Sequence, residues 1–208
     1  MLDLKPLETS VRKMCEFTLS SLRKAYESYS MENKEETVND ETIDNFECLI
    51  EEDCLKLILK ERPFAKDLRE ITGIFKAVSD FERIGDHAED VLWCVSNLKK
   101  GSHFKVNPLL KSILEKSLRM VEDSFDAFLN LDEKKSQEII ERDDEVDKLY
   151  AKIVEDIALS PDKGNNDVEN VYSILLAKYA ERVADHSTNI AEWAIYIASG
   201  LYKNRMII

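Results

Sequence analysis

The feature that most constrains this chain is a motif written twice. Glu82-Arg-Ile-Gly-Asp86-His87 returns 99 residues later as Glu181-Arg-Val-Ala-Asp185-His186. A second pair accompanies it: Asp40-Glu-Thr-Ile-Asp44 returns 103 residues later as Asp143-Asp-Glu-Val-Asp147. Each half also places a tryptophan, Trp93 or Trp193, shortly after the matched histidine. Repetition at a fixed period marks one structural unit used twice. Apolar residues recur at spacings of three and four almost throughout, without alternation of period two, so that unit is helical.

The interruptions divide the chain into six helices. The spacing predicts helices over about 7–31, 33–60, 63–100, 108–131, 132–160 and 167–199. Arg62-Pro63 ends the second, because a residue before proline avoids helical angles, and Pro63 suits the first turn of the third. Gly101 provides a stop, Asn107-Pro108 an N-cap and first position, and Asp132 a further cap. Short connections make neighbouring helices antiparallel. The expectation is an all-α tandem repeat of two three-helix bundles, residues 1–103 and 104–208.

Charge then narrows the partners. The net charge is −13, divided almost evenly as −7 over residues 1–103 and −6 over residues 104–208. Such a surplus argues against binding a phosphate backbone, which needs a basic patch, and against an anionic membrane surface. The most apolar stretch, Ile190 to Tyr202, is interrupted by Glu192 and Gly200 and falls well short of the ~20 residues a membrane span needs. The opening MLDLKPLETSVRKM has no apolar core of signal-peptide length. A cytoplasmic chain is expected. Cys15, Cys48, Cys54 and Cys94 include no C-x-x-C pair and lie in periodic apolar sequence, so four buried, reduced thiols are expected.

The surplus acid is concentrated where the repeats lie. Residues i and i+4 share a helix face, with Cβ atoms about 5–6 Å apart. Asp40/Asp44, Glu82/Asp86, Asp143/Asp147 and Glu181/Asp185 are carboxylate pairs at that spacing, in matching places of the two halves. Like charges so placed weaken a helix by roughly 0.2–0.5 kcal/mol per pair, and a bridging cation reverses the sign. A single such pair in so acidic a chain is ordinary solvated surface. Recurrence with the same neighbours is what raises these four to candidate metal ligands. Oxygen ligation without cysteine suits iron, manganese, magnesium or calcium, and admits zinc. Asp90, one turn beyond Asp86 and on its face, is a further candidate. Arg83 and Arg182 follow the acids and either order the carboxylates or form helix ion pairs. His87 and His186 read as outer ligands or as hydrogen-bonded histidines beside the acids.

Enzymatic signatures are missing from the sequence. It has no phosphate-cradling GxxxxGK[ST] loop and no GxGxxG fingerprint. A di-iron carboxylate enzyme uses Glu-x-x-His motifs, and none of His87, His103 and His186 has a Glu three residues before it. No catalytic residues are assigned.

The stretches RPFAKDLREITGIFKAVSDFERIGDHAEDV and LLAKYAERVADHSTNIAEW, with DETID and ERDDEVD, resemble the PhoU proteins, regulators of phosphate uptake and phosphate signalling. The resemblance covers essentially the whole chain. It implies a tandem three-helix-bundle fold and a non-enzymatic adaptor that damps phosphate uptake. Its implied partners are the ATPase subunit of the phosphate transporter, a phosphate-sensing histidine kinase and a second copy of the chain. It also implies iron or zinc clusters: Asp40, Asp44, Glu82 and Asp86 at one site, and Asp143, Asp147, Glu181 and Asp185 at the other. The second motif departs from the first, reading ERVAD for ERIGD, and no Asp-Leu-Arg segment precedes the sixth helix. A metal-dependent enzyme or metal store on the same carboxylates, and a metal-free helical scaffold, are the alternative readings.

Overall fold

The computed structural model describes residues 2–31, 38, 40–100, 104–159, 167–203 and 205–206, with the side chains of Asp40 and Asp167 outside that set. Its helices are α1 (Lys5–Ser30), α2 (Asp40–Glu61), α3 (Lys66–Lys99), α4 (Pro108–Asn130), α5 (Glu133–Ala158) and α6 (Asp167–Ser199). The caps have local causes. The Asn107 side chain accepts from the Leu109 N–H at 2.8 Å, and the Asp132 side chain from the Lys135 N–H at 3.0 Å. Gly200, at φ 83°, ends α6 while its N–H bonds back to Tyr196 O at 2.8 Å. A positive φ at that position is what glycine supplies without a steric penalty.

Packing follows the repeat closely. Each buried residue of α4 stands 99 positions after a buried residue of α1, from Val11 and Leu110 through Thr18 and Ser117 to Tyr29 and Phe128. Among the described residues, α2 packs only on α1 and α3, and α5 only on α4 and α6. The halves meet mainly through α3 against α6, supported by α1 against α4. The result is a central layer of four helices carrying α2 beside one half and α5 beside the other. One continuous apolar cluster runs through both bundles. Across it, Phe81 of α3 meets Phe125 and Phe128 of α4 edge-on, at centroid distances of 5.1 and 5.4 Å.

Three expectations are corrected. Pro63 does not enter α3: Arg62 and Ala65 adopt positive φ (47° and 48°), forming a four-residue corner before the helix begins at Lys66. Cys48 is exposed, because it lies off the buried stripe defined by Ile43, Ile50 and Cys54; the other three thiols are buried and all four are free. A small antiparallel hairpin, β1 (Leu201–Tyr202) and β2 (Arg205–Met206), follows α6 where no strand was expected. It is held from the side: Tyr202 stacks on Trp193 at 4.1 Å, and Lys203 pairs with Glu192 at 3.3 Å. The boundary at 103/104 and the start of the second helix before Asp40 fall largely outside the described residues.

Candidate metal centres

The outer helices bring their repeated acids onto the central ones. In the first half, Asp44 of α2 faces Glu82 and Asp86 of α3, and one oxygen from each lies within 4.8 Å of the others. In the second half, Asp143 and Asp147 of α5 meet Asp185 of α6 within the same distance. The i, i+4 spacing puts both members of Glu82/Asp86 and of Asp143/Asp147 on the seam. The buried Ile43 and Val146, each one residue before a seam aspartate, anchor the outer helix in matching orientation.

Other candidates are placed differently. The Asp40 side chain lies outside the described residues. Glu181 turns to Lys178, whose Nζ stands 2.5 Å from both carboxylate oxygens. Asp90 accepts or shares a proton with His87 Nδ1 at 3.1 Å, on the face of α3 that meets α6. Arg83 grips its own cluster, with Nη1 3.0 Å from Asp86 Oδ2 and Nε 3.4 Å from Glu82 Oε2. Arg182 is exposed, and its charge acts on His87 and Tyr179 at the junction between the halves.

Both histidines point into the junction between the halves rather than into a cluster. His186 Nδ1 lies 2.8 Å from Asp80 Oδ1, which also accepts from Asn189 at 3.1 Å. The two imidazoles approach to 5.7 Å between centroids, and Tyr179 lies 5.5 Å from His87. Asp80 and Lys178 were not singled out in the sequence. Their signal was positional: each stands within three residues of a motif glutamate on a central helix. Glu47, one turn past Asp44, carries no repeat signal of its own, since its counterpart is Tyr150. Glu47 hydrogen-bonds Ser79 and adds its charge to the first cluster.

Electrostatics record the crowding. Burial, then the neighbouring Asp86, push Glu82 up to about 7. Burial, then Asp185 and Asp147, push Asp143 up to about 6. Asp185 is raised by burial and by Glu181. Each seam also holds a buried carboxylate oxygen that accepts no hydrogen bond: Asp143 Oδ1 in the second, and in the first Glu82 Oε2, which has only the ion-pair contact with Arg83. Convergent carboxylates, raised pKa values and, in the second seam, an orphaned buried acceptor fit an oxygen-ligated cation.

Comparison with known proteins bears on the repeat and the fold. Residues 11–94 and 110–194 each match the PhoU domain family. A phosphate-specific transport system accessory protein PhoU homolog from Aquifex aeolicus is 33% identical over 95% of this chain and 92% of its own length. Homolog 1 from Thermotoga maritima is 32% identical over 95% of this chain and 88% of its own. The crystal structure of PhoU from Pseudomonas aeruginosa superposes with a TM-score of 0.85 at 24% identity, covering 95% of this chain and 97% of that one.

Proposed function

The chain belongs to the PhoU domain family, and we propose that it is a non-enzymatic accessory protein of a phosphate-specific transport system, restraining phosphate uptake and phosphate-responsive signalling from the cytoplasm. The observation that carries this reading is the match of both halves, over nearly the full length, to proteins named as accessory proteins of the phosphate-specific transport system. Its partners are the transporter's ATPase subunit, a phosphate-sensing histidine kinase and a second copy of the chain. No helix among the described residues is long and apolar enough to cross a membrane. The two bundles, divided at 103/104, act as linked units whose long helices offer surfaces to partners.

The carboxylate seams add a metal dependence. Asp44, Glu82 and Asp86, with Asp40, hold a cation in the first bundle; Asp143, Asp147 and Asp185 hold one in the second. The donor set, all oxygen, favours iron, manganese, magnesium or calcium, with zinc accommodated. The bound cation would neutralise the seam and fix the outer helix against the central one. Arg83 steadies the carboxylates of the first seam from outside.

Deletion and complementation test the regulatory role. A strain lacking this chain should take up phosphate in excess and express phosphate-responsive genes in phosphate-rich medium, and the wild-type chain should restore control. Unchanged uptake and expression would remove the reading. Metal content tests the seams separately: replacing Asp44 and Asp86 together with alanine should empty the first site and leave the second loaded.

A further inference from the structure

The two seams differ at positions that the repeat makes equivalent. Three residues before the central-helix glutamate stands Ser79 in α3 but Lys178 in α6. Opposite it, three residues after the seam aspartate, stands Glu47 in α2 but Tyr150 in α5. In the first half, therefore, an uncharged serine hydroxyl faces an additional carboxylate. In the second, an ammonium replaces the hydroxyl and an aromatic ring replaces the acid. Lys178 Nζ holds both oxygens of Glu181 at 2.5 Å and lies 5.2 Å from the Tyr150 ring centroid, within reach of its negative face. Glu181 is well buried, with its side chain 12% exposed, whereas the lysine keeps an open edge at 36%.

From this juxtaposition we infer that Lys178 is a built-in counter-cation, which claims Glu181 and makes the second seam the weaker metal site of the two. The inference rests on the reading of the seams as metal sites and goes further by ranking them. The first seam offers Asp44, Glu82 and Asp86 with Glu47 nearby, and Arg83, the cation beside it among the described residues, pairs with Asp86 and Glu82 from the exposed side. The second offers three aspartates while its glutamate is already neutralised from within. Among the described residues each seam sets four carboxylates against one cation, and the ranking comes from placement: the Lys178 side chain is 36% exposed against 56% for Arg83, so an entering divalent ion meets a less screened positive charge in the second seam. Removing that charge frees Glu181 to become a ligand, and placing a lysine at residue 79 imposes the same handicap on the first seam.

The test uses Mn2+ titrated into the full-length protein after chelator treatment, with free ion read by electron paramagnetic resonance. Asp44→Ala with Asp86→Ala isolates the second seam, and Asp143→Ala with Asp147→Ala isolates the first. The isolated second seam should bind Mn2+ more weakly than the isolated first. Lys178→Ser should strengthen it on the order of tenfold, and Ser79→Lys should weaken the first by a similar factor. A second readout is independent of affinity. Without metal, Lys178→Ser should lower the melting temperature, since Glu181 then lies buried beside Asp143 and Asp185 without its cation, and Mn2+ should recover the loss. Equal affinities of the two seams, with no response to Lys178→Ser, would overturn the inference and leave the metal reading standing. Absence of Mn2+ binding in every variant would overturn both.

Discussion

The two halves of the chain bury matching positions along α1 and α4 but diverge along α3 and α6, and the difference separates what the fold requires from what each half has specialised to do. Along α1 and α4 the buried sets coincide position by position. Along α3 and α6, which form the junction, they part. Phe81 corresponds to Ala180, Gly73 to Tyr172, Asp80 to Tyr179, and Asp90 to Asn189. A strict twofold pairing would set identical side chains against each other across α3 and α6. Large against small, and acid against imidazole, fill the same seam with better complementarity. Duplication supplied the architecture, and divergence at the junction fitted the halves to each other.

The largest expected effect lies in that exchange of sizes. Phe81 is fully buried and reaches across to Phe125 and Phe128, so its ring belongs to the packing of both bundles. Phe81→Ala should cost about 3–5 kcal/mol in urea unfolding. Ala180→Gly, at the equivalent position, removes one methyl and adds backbone freedom, costing about 1 kcal/mol. Equal losses at the two positions would mean that the halves are joined symmetrically after all.

Gly73 offers a smaller test of the same asymmetry. A Cβ at this position would stand 2.3 Å from Ile197 Cγ1 on α6, whereas the equivalent residue is the large Tyr172. Gly73→Ala should therefore push α6 aside, an overpacking cost of about 1–3 kcal/mol. The better helix propensity of alanine returns roughly 0.5–1 kcal/mol of it. A net loss of about 1–2 kcal/mol is expected, and Ile197→Val in the same chain should relieve part of it. A stabilised Gly73→Ala protein would show that the helices yield more easily than the contact implies.

The same contrast explains which features the sequence made legible. Helix number, most boundaries and the seam acids follow from local rules: period, caps and i, i+4 spacing act within one turn or one helix. Asn107 and Asp132 cap where their side chains predict. Pro63 misled because its fixed φ suits a corner as well as a first helical turn, and the choice was made by Arg62 and Ala65 taking positive φ. The roles of His87, His186 and Asp80 depend on α3 meeting α6, a contact between residues about 100 positions apart that no local period encodes. Lys178 was legible in principle, since aligning the repeats sets it against Ser79. Its partner Glu181 reads as a ligand when only its own motif is considered.

The smallest predicted effect distinguishes the two seams by pH. In the metal-free protein, Glu82 is held at about 7, above the ordinary 4.5, and Asp143 at about 6, above the ordinary 3.8. A carboxyl whose folded pKa is raised binds its proton more tightly in the folded state, so its stabilising contribution is complete below the unfolded value and is lost as pH rises through the folded one. Stability in chelator should thus fall between about pH 4.5 and 7 on account of the first seam, and between about pH 4 and 6 on account of the second. Solvent at these partly open seams reduces each effect to on the order of 1 kcal/mol. Glu82→Gln should flatten the melting-temperature profile mainly between pH 6 and 7, and Asp143→Asn mainly below pH 6. Saturating Mn2+ should flatten both windows in the wild-type chain, because the cation replaces the proton as the group that neutralises the seam. Identical profiles for the two variants would erase the distinction between the seams. A profile unmoved by either substitution would place the acid surplus back on the solvated surface.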